Sequence, residues 1–406
     1  MDSITGHMKA DQRVFRRRVF YIPGYDPFHP RRYRELYRKE AAAQAAVSGY
    51  DIALRPKTAK GAYGWQVTAL MDGSITNADV EVLVWSDIVK TSMQQGIAAT
   101  YLQLLRTAWV YIGSGALFRL AGLRKGPMIA ALYPIVFLLL QLAAALLVGW
   151  AAGLLVAFVT PILGWLTGLA VVWLTLRAFK HWDNKVFAYY LMHDYAYSAQ
   201  AKGANPPELE ARMASFAATI RDAVAGDFDE VLVVGHSSGA HLAISILADL
   251  LRQGLPDGSA TLSFLSLGQV VPMVSFLPEA KRLRADLRYM AAQDSVAWVD
   301  VTAPGDGCAF ALCDPVAVTG VAPPAKRWPL VMSAAFTQTL SPARWAELRW
   351  RFFRLHFQYL CAFDRPGDYD YFRITAGPLT LWQRYAGRPA SKSRIETPSS
   401  GYRTIA

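Results

Sequence analysis

Charged side chains are missing from a long central part of the sequence. Charged residues make up only 18% of the 406 residues, and the 51 residues from Gly126 to Leu176 contain no Asp, Glu, Lys or Arg. Soluble domains usually contain about 25% charged residues. One membrane-crossing helix needs about 20 apolar residues, so this stretch has room for two helices and a short turn. We therefore expect part of the 53% hydrophobic content to face lipid instead of a protein core.

Cysteine is also scarce. The three cysteines, Cys308, Cys313 and Cys361, cannot all pair, and Cys308 and Cys313 lack the CxxC or His spacing of a metal site. The sequence therefore indicates a reducing compartment and predicts neither a metal nor another cofactor. The apolar run at residues 19–23 is too short for a signal peptide, so none is expected.

The uncharged stretch predicts a transmembrane hairpin. We expect helices at about residues 127–148 and 154–176, with a turn at residues 149–153 (GWAAG). Basic residues tend to stay on the cytoplasmic side of a membrane. They occur on both sides of the stretch, so both termini and the rest of the chain are expected in the cytoplasm. These residues are Arg119, Arg124, Lys125, Arg177, Lys180 and Lys185.

The rest of the chain alternates strand and helix patterns, which is typical of an α/β fold with a mostly parallel sheet and helices on both faces. The membrane block is then an insertion between the strand near Val80 and the strand near Glu230. The domains expected are residues 1–94 and 186–388 for the α/β domain, 95–185 for the membrane insertion, and 389–406 for a disordered polar tail. The strands expected are 19–22, 80–85, 230–234, 262–267 and 296–301, with shorter ones at 50–55 and 65–71; the helices expected are 30–46, 207–225, 241–251 and 279–290.

One motif joins a strand to a helix. In the segment VLVVGHSSGAH, four apolar residues run into Gly235, His236, Ser237, Ser238 and Gly239, and a helical pattern follows. A buried strand, then G-x-S-x-G, then a helix, is what a nucleophile elbow requires, because the serine needs a tight turn and the glycines allow close approach. A phosphate-binding turn fits less well, because the Lys of a phosphate loop and the third Gly of a dinucleotide fingerprint are missing. The motif predicts Ser237 as a nucleophile, with the amide of Ser238 as an oxyanion donor.

With these residues the chain resembles the α/β-hydrolase superfamily, in its membrane-associated esterase and lipase-like branch. The resemblance covers the chain outside the membrane block and the tail, and it implies the order Ser, acid, His. Of the seven histidines only His356 lies beyond the elbow helix, so the resemblance implies His356 as the base. A partly buried structural histidine is the alternative.

The resemblance also implies an acid and a second oxyanion donor. Asp306 lies in a Pro-Gly-rich loop after a strand and is the first candidate for the acid; Asp314 is the alternative. The segment VFYIPGYDP departs from the commoner HG or HGGG form, but Gly24 allows close backbone approach and makes the amide of Tyr25 the expected donor.

These residues predict a membrane-bound serine hydrolase that cleaves carboxylic esters, with lipid-like substrates favoured by the nearby hairpin. An acyltransferase using the same triad, or a non-catalytic membrane-tethered module that binds lipid or serves as a scaffold, are the alternatives. The net charge of +11 would suit nucleic acid, but beside a membrane hairpin anionic headgroups explain it more simply, so the expected partner is a lipid bilayer and no nucleic acid. The absence of ionisable residues within the two spans argues against a transporter or channel. The sequence leaves the oligomeric state open.

Overall fold

An eight-stranded sheet forms the centre of the protein in a computed structural model that describes residues 13–57, 61–256 and 258–406. The strand order is β2-β3-β4-β1-β5-β6-β7-β8. From β4 through β1 to β8 neighbouring strands are parallel, whereas β2 and β3 are joined antiparallel at one edge. The α/β class with a mostly parallel sheet is thereby confirmed.

The strands are β1 Arg16–Ile22, β2 Asp51–Pro56, β3 Gly64–Met71, β4 Ser74–Val82, β5 Glu230–His236, β6 Thr261–Leu267, β7 Val296–Thr302 and β8 Leu330–Ser333. The helices up to β5 are α1 Arg31–Ser48, α2 Ser86–Met93, α3 Ile97–Gly113, α4 Ala116–Leu123, α5 Lys125–Ala157, α6 Pro161–His181, α7 Asp183–Val186, α8 Ala188–Ala199 and α9 Pro207–Val224. After β5 follow α10 Ser238–Arg252, α11 Val271–Ser275, α12 Lys281–Met290, α13 Pro315–Thr319, α14 Phe336–Thr339, α15 Pro342–Leu348, α16 Phe352–His356, a 3-10 turn Phe357–Leu360, α17 Tyr371–Ala376 and α18 Leu381–Tyr385.

Two hydrophobic layers cover the sheet. On one face α9, α10 and α12 pack against apolar side chains such as Phe264 and Trp298. On the other face α1 and the C-terminal helices pack against residues such as Val19, Leu232 and Met332. Strand β5 is buried along its whole length. A strand buried on both faces reads as a continuous apolar run, which is why Val231 to Val234 are four apolar residues in a row.

Helices α3 to α8 lie between β4 and β5 in the part of the chain where the insertion was expected, whereas α2 packs on the core of the sheet through Val89. Helices α5 and α6 are both long and apolar enough to cross a membrane. Only 28% of the most apolar window of α5 and 11% of that of α6 is buried, so most of each window is exposed on the surface of the protein. Helix α5, with 33 residues, is about 50 Å long and so exceeds the thickness of a bilayer core.

The turn of this hairpin differs from the predicted one. Helix α5 continues through residues 149–153 and ends at Ala157, and the chain reverses at residues 158–160. Thr160 caps α6 by accepting the amide of Leu163 at 3.3 Å, and Pro161 occupies the first helical position, where its missing N–H costs nothing. The predicted helices 127–148 and 154–176 were therefore wrong at their inner ends.

The glycines of the GWAAG segment pack helices together instead of making a turn. A Cβ at Gly149 would lie 2.7 Å from the carbonyl oxygen of Gly168, and a Cβ at Gly153 would lie 2.9 Å from that of Gly164. Small residues spaced by four let two helix backbones approach closely in a membrane. Both helices carry such a pair, which explains why glycine appeared inside the apolar run.

Two further boundaries differ from the prediction. Helix α8 belongs to the insertion, because Tyr189 and Met192 pack with Leu104 of α3 and Leu138 of α5; the insertion therefore extends beyond residue 185. The segment 389–406 lies on the α/β domain instead of being a disordered tail. The amide of Ile395 donates to Leu312 at 2.7 Å, and Arg284 donates to the carbonyl of Thr404 at 2.7 Å.

Candidate active site

The turn between β5 and α10 holds Ser237 in a strained backbone conformation. Its φ of 56° and ψ of −123° lie in a region that few residues other than glycine adopt. A Cβ at Gly239 would lie 2.1 Å from the carbonyl oxygen of Ile22, and a Cβ at Gly235 would lie 2.7 Å from the Cα of Ala240. The two glycines therefore allow the turn to be this tight, and Ser237 lies at the carboxyl end of the central strand, before the helix.

His356 and Asp306 form a buried hydrogen-bonded pair. The Nδ1 atom of His356 lies 2.7 Å from the Oδ2 atom of Asp306. The carboxylate also accepts the amide of Cys308 at 2.9 Å and the hydroxyl of Tyr359 at 3.0 Å. Burial alone would raise the pKa of Asp306, but the interaction with His356 and these hydrogen bonds outweigh it, so the pKa lies below its ordinary value. Asp306 is therefore held as a carboxylate facing the imidazole.

The imidazole and the serine both lie next to the end of β6. The amide of Ser237 donates to Leu267 at 2.9 Å, and a Cβ at the next residue, Gly268, would lie 3.0 Å from the Cε1 atom of His356. The Nε2 atom of His356 is buried and has no hydrogen-bond partner within the described ranges. Nδ1 is bound to Asp306, so Nε2 is the imidazole nitrogen left without a partner among the described residues, and the structure contains no hydrogen bond between it and Ser237.

The loop after β1 lies against the same serine. A Cβ at Gly24 would lie 2.9 Å from the Cβ of Ser237, so only glycine fits there. The carbonyls on either side of Gly24 are fixed: Trp85 donates to Pro23 at 2.9 Å, and the hydroxyl of Tyr190 on α8 donates to Tyr25. These hydrogen bonds hold the loop in place as a rigid part of the site. The loop places the Tyr25 segment next to Ser237, and the first turn of α10 places Ser238 there as well.

The structure separates the two candidate acids. Asp306 contacts His356, whereas Asp314 caps α13 by accepting the amides of Val316 and Ala317, both at 3.0 Å. Lys326 lies 2.6 Å from the other oxygen of Asp314. Asp314 therefore has a structural environment, away from the imidazole.

His236 and Tyr359 have contacts to the pair that the sequence did not reveal. The Nε2 atom of His236 lies 3.1 Å from the carbonyl oxygen of His356. Burial and the nearby His356 lower the pKa of His236 to about 3, so it stays neutral and donates from Nε2. Tyr359 accepts the amide of Ala303 at 3.0 Å while it donates to Asp306. Both residues position the pair, and the only sequence signal was their nearness along the chain to Ser237 and His356.

Asp194 is a further carboxyl group at the site that sequence reasoning missed. It lies on α8 between Tyr190, which donates to Tyr25, and Tyr197, whose ring is 5.8 Å from that of Tyr25. Positions i, i+4 and i+7 share one helix face, so Asp194 faces the same loop. Burial raises the pKa of Asp194 to about 7, and the nearby His356 opposes this increase. A carboxyl group with this pKa changes charge near neutral pH.

Cys308 completes a group of three possible metal ligands with Asp306 and His356, whose ligand atoms lie within 4.8 Å of one another. The separation of 2.7 Å between Nδ1 and Oδ2 is a hydrogen-bond length. A metal bound by both atoms at about 2 Å would hold them further apart. Burial, followed by the nearby Asp306, also raises the pKa of the Cys308 thiol, which disfavours the thiolate that metals bind. The group fits a hydrogen-bonded His–Asp pair better than a metal site.

Comparison with family models, with curated proteins and with solved structures found no match to this chain.

Proposed function

We propose that this protein is a membrane-bound serine hydrolase of the α/β-hydrolase type that cleaves carboxylic esters. The observation that carries the proposal is the combination of a strained Ser237 elbow with a buried His356–Asp306 pair whose Nε2 atom is unpartnered among the described residues, both next to the end of β6. A scaffold protein has no physical need for this arrangement, which costs backbone strain and the burial of a carboxylate.

The chemistry follows from the groups present. Ser237 Oγ attacks the acyl carbonyl while His356 Nε2 accepts its proton, and the ionised Asp306 stabilises the imidazolium that forms. The amides of Tyr25 and Ser238 donate to the oxyanion, and the positive end of α10 adds to this stabilisation. His356 then protonates the leaving alcohol. Water attacks the acyl-enzyme in the second half of the reaction.

Lipid-like esters are the proposed substrates, because the insertion that carries the hairpin also covers the site. Tyr190 and Tyr197 of α8 contact the Tyr25 loop, and the N-terminus of α5 approaches the loop of the acid. A Cβ at Gly126 would lie 3.1 Å from the Cα of Gly307, the residue after Asp306. An ester group located near a membrane surface would therefore be close to Ser237.

We further propose that α5 and α6 span the membrane with both termini and the catalytic domain in the cytoplasm. Basic residues lie at both ends of the hairpin, and charged residues are absent between them. Protease protection in inside-out and right-side-out vesicles measures this orientation. Protection of the α/β domain in inside-out vesicles would contradict it.

Labelling with a fluorophosphonate probe tests the catalytic proposal. We expect Ser237→Ala to abolish labelling and to reduce the hydrolysis of a soluble ester by at least about a thousandfold, because the nucleophile is lost. The exposed Ser215 on α9 provides a matched control, and Ser215→Ala should react as the unsubstituted protein does. Labelling that persists in the Ser237 variant would discard the assignment. Product analysis in the presence of an alcohol separates hydrolysis from acyl transfer.

A further inference from the structure

Exposed aromatic and basic side chains surround the candidate site, on the segments that carry its parts. Phe28, shortly after the Tyr25 loop, is 54% exposed, and Trp350, six residues before His356, is 73% exposed. Exposed arginines accompany both rings. We name this surface the aromatic rim; all its members are exposed: Phe28, Arg32, Trp350, Arg351, Phe352 and Arg354.

The two halves of the rim are joined. The guanidinium of Arg32 lies 4.7 Å from the centre of the Phe28 ring and 5.1 Å from that of the Phe357 ring. Phe357 directly follows His356. The segment before α1 and the segment of the catalytic histidine therefore form one continuous surface.

The rim also adjoins the base of the apolar hairpin. The ring of Phe353 lies 5.0 Å from that of Phe187, which immediately precedes α8 just after the hairpin. On the other side, a Cβ at Gly307 would lie 3.1 Å from the ring of Phe352, and Gly126 in the first turn of α5 packs on Gly307. The hairpin therefore leaves the α/β domain beside the rim.

The same pairing of side chains occurs at the hairpin base. Arg177 lies over Trp173 at 5.0 Å and Lys185 over Trp182 at 5.9 Å, while Arg349 lies over Trp350 at 5.7 Å. Tryptophan beside a basic residue is typical of the membrane interface, where the ring enters the headgroup region and the cation stays near phosphate.

We infer that the aromatic rim docks on the anionic surface of the bilayer that the hairpin crosses, so that the mouth of the site faces lipid. The docking rests on the proposed membrane-spanning hairpin, and its catalytic consequence rests on the proposed hydrolase activity; the two tests below separate them. Three observations support lipid as the occupant: continuity with the hairpin base, arginines beside exposed rings, and the net charge of +11. Arg351 and Arg354 share one carboxylate, Glu347, so this part of the rim keeps a net positive charge. Arg32, in contrast, pairs with Asp26.

The first test measures depth and does not depend on activity. The full chain carrying Trp350→Cys, labelled with a polarity-sensitive fluorophore, is reconstituted into bilayers of phosphatidylcholine and phosphatidylglycerol that contain brominated lipid. We expect quenching by the bromine atoms, and weaker quenching without phosphatidylglycerol. Signal from the native cysteines is measured on the unsubstituted chain. Phe15→Cys is the control, because Phe15 is an exposed ring (54%, against 73% for Trp350) that precedes the central strand β1, at the amino ends of the parallel strands and so at the end of the sheet opposite Ser237. Equal quenching at positions 350 and 15 would overturn the docking on lipid. The rim would then be a candidate contact surface for a soluble partner instead.

The second test links docking to substrate. We expect the double variant Phe28→Ser with Trp350→Ser to hydrolyse a bilayer-dispersed ester about tenfold more slowly, because apolar contact with lipid is lost. Its hydrolysis of a soluble ester and its fluorophosphonate labelling should match those of Phe15→Ser. An equal loss on both substrates, or no loss on either, would overturn the inference. Failure of the unsubstituted protein to react with soluble esters or the probe would instead refute the proposed function, and the quenching measurement would still decide the docking.

Discussion

The elbow and the apolar hairpin both depend on glycine, but they place their apolar side chains in opposite environments. At the elbow, Gly239 allows the start of α10 to approach Ile22, and all seven residues of β5 are buried. In the hairpin, Gly153 allows α5 to approach Gly164, yet side chains such as Leu155 remain 73% exposed. One region is a core around a strained turn, and the other is a packed pair of helices with an apolar outer surface.

The difference shows that the structure a glycine-containing apolar segment adopts depends on the length of the apolar run and on the elements that pack against it. A short apolar run ending in G-x-S-x-G became a strand and a strained turn, because the sheet on both sides fixes β5. A glycine pair within 51 uncharged residues became a helix contact, because helix formation satisfies the backbone hydrogen bonds along the entire run.

The largest expected effect lies on the catalytic side of this comparison. Asp306→Asn should lower kcat by about ten thousandfold on a soluble ester, because an amide does not stabilise the imidazolium and can select the wrong tautomer of His356. Asp314→Asn, the matched buried aspartate, should retain kcat per folded molecule and lose about 1 kcal/mol of stability, because the ion pair with Lys326 is lost while asparagine still caps α13. Kinetics together with thermal unfolding measure both. A comparable loss of kcat in the two variants would contradict the choice of Asp306 as the acid.

A smaller effect separates the two glycine contacts. Gly239→Ala should destabilise the α/β domain by several kcal/mol and abolish labelling of Ser237, because its Cβ would lie 2.1 Å from a backbone oxygen. Gly153→Ala should loosen the hairpin by about 1 kcal/mol and leave soluble-ester hydrolysis unchanged. Thermal unfolding in detergent and probe labelling measure the two variants. Loss of labelling in Gly153→Ala would show that the two regions are not independent.

The smallest expected effect concerns Asp194, where the insertion meets the site. Its pKa, raised by burial to about 7, lies above the ordinary value, so folding favours the protonated form. The stability associated with this proton is fully present below about pH 4 and is lost as the pH rises through 7. Asp194→Asn lacks this loss, so its thermal midpoint should exceed that of the unsubstituted protein more at pH 8 than at pH 5.5. The exposed Asp222→Asn is the control. A difference that does not vary with pH would contradict the raised pKa.

The α/β class, the place of the insertion and most strands were predictable, because periodicity and apolar runs are local signals. The strand expected at residues 80–85 is in fact β4, Ser74–Val82. It begins earlier because it forms the second strand of an antiparallel hairpin with β3. The turn at GWAAG was wrong because glycine indicates both turns and close helix packing, and only the facing helix distinguishes them. The tail lies on the domain through contacts with segments about 80 to 120 residues away, which no local pattern records.

The sequence by itself determined the tight turn at Ser237, the long uncharged stretch, and the position of His356 as the one histidine beyond the elbow helix. Tertiary structure alone decided that Asp306 and not Asp314 contacts His356. It also decided that Tyr359 and His236 form hydrogen bonds to this pair. The position of Asp194 on the face of α8 that packs on the Tyr25 loop was likewise a result of the fold. The physical reason is that a turn or an apolar run depends on neighbours along the chain, whereas a hydrogen bond between residues 50 positions apart depends on how the whole sheet brings its strand ends together.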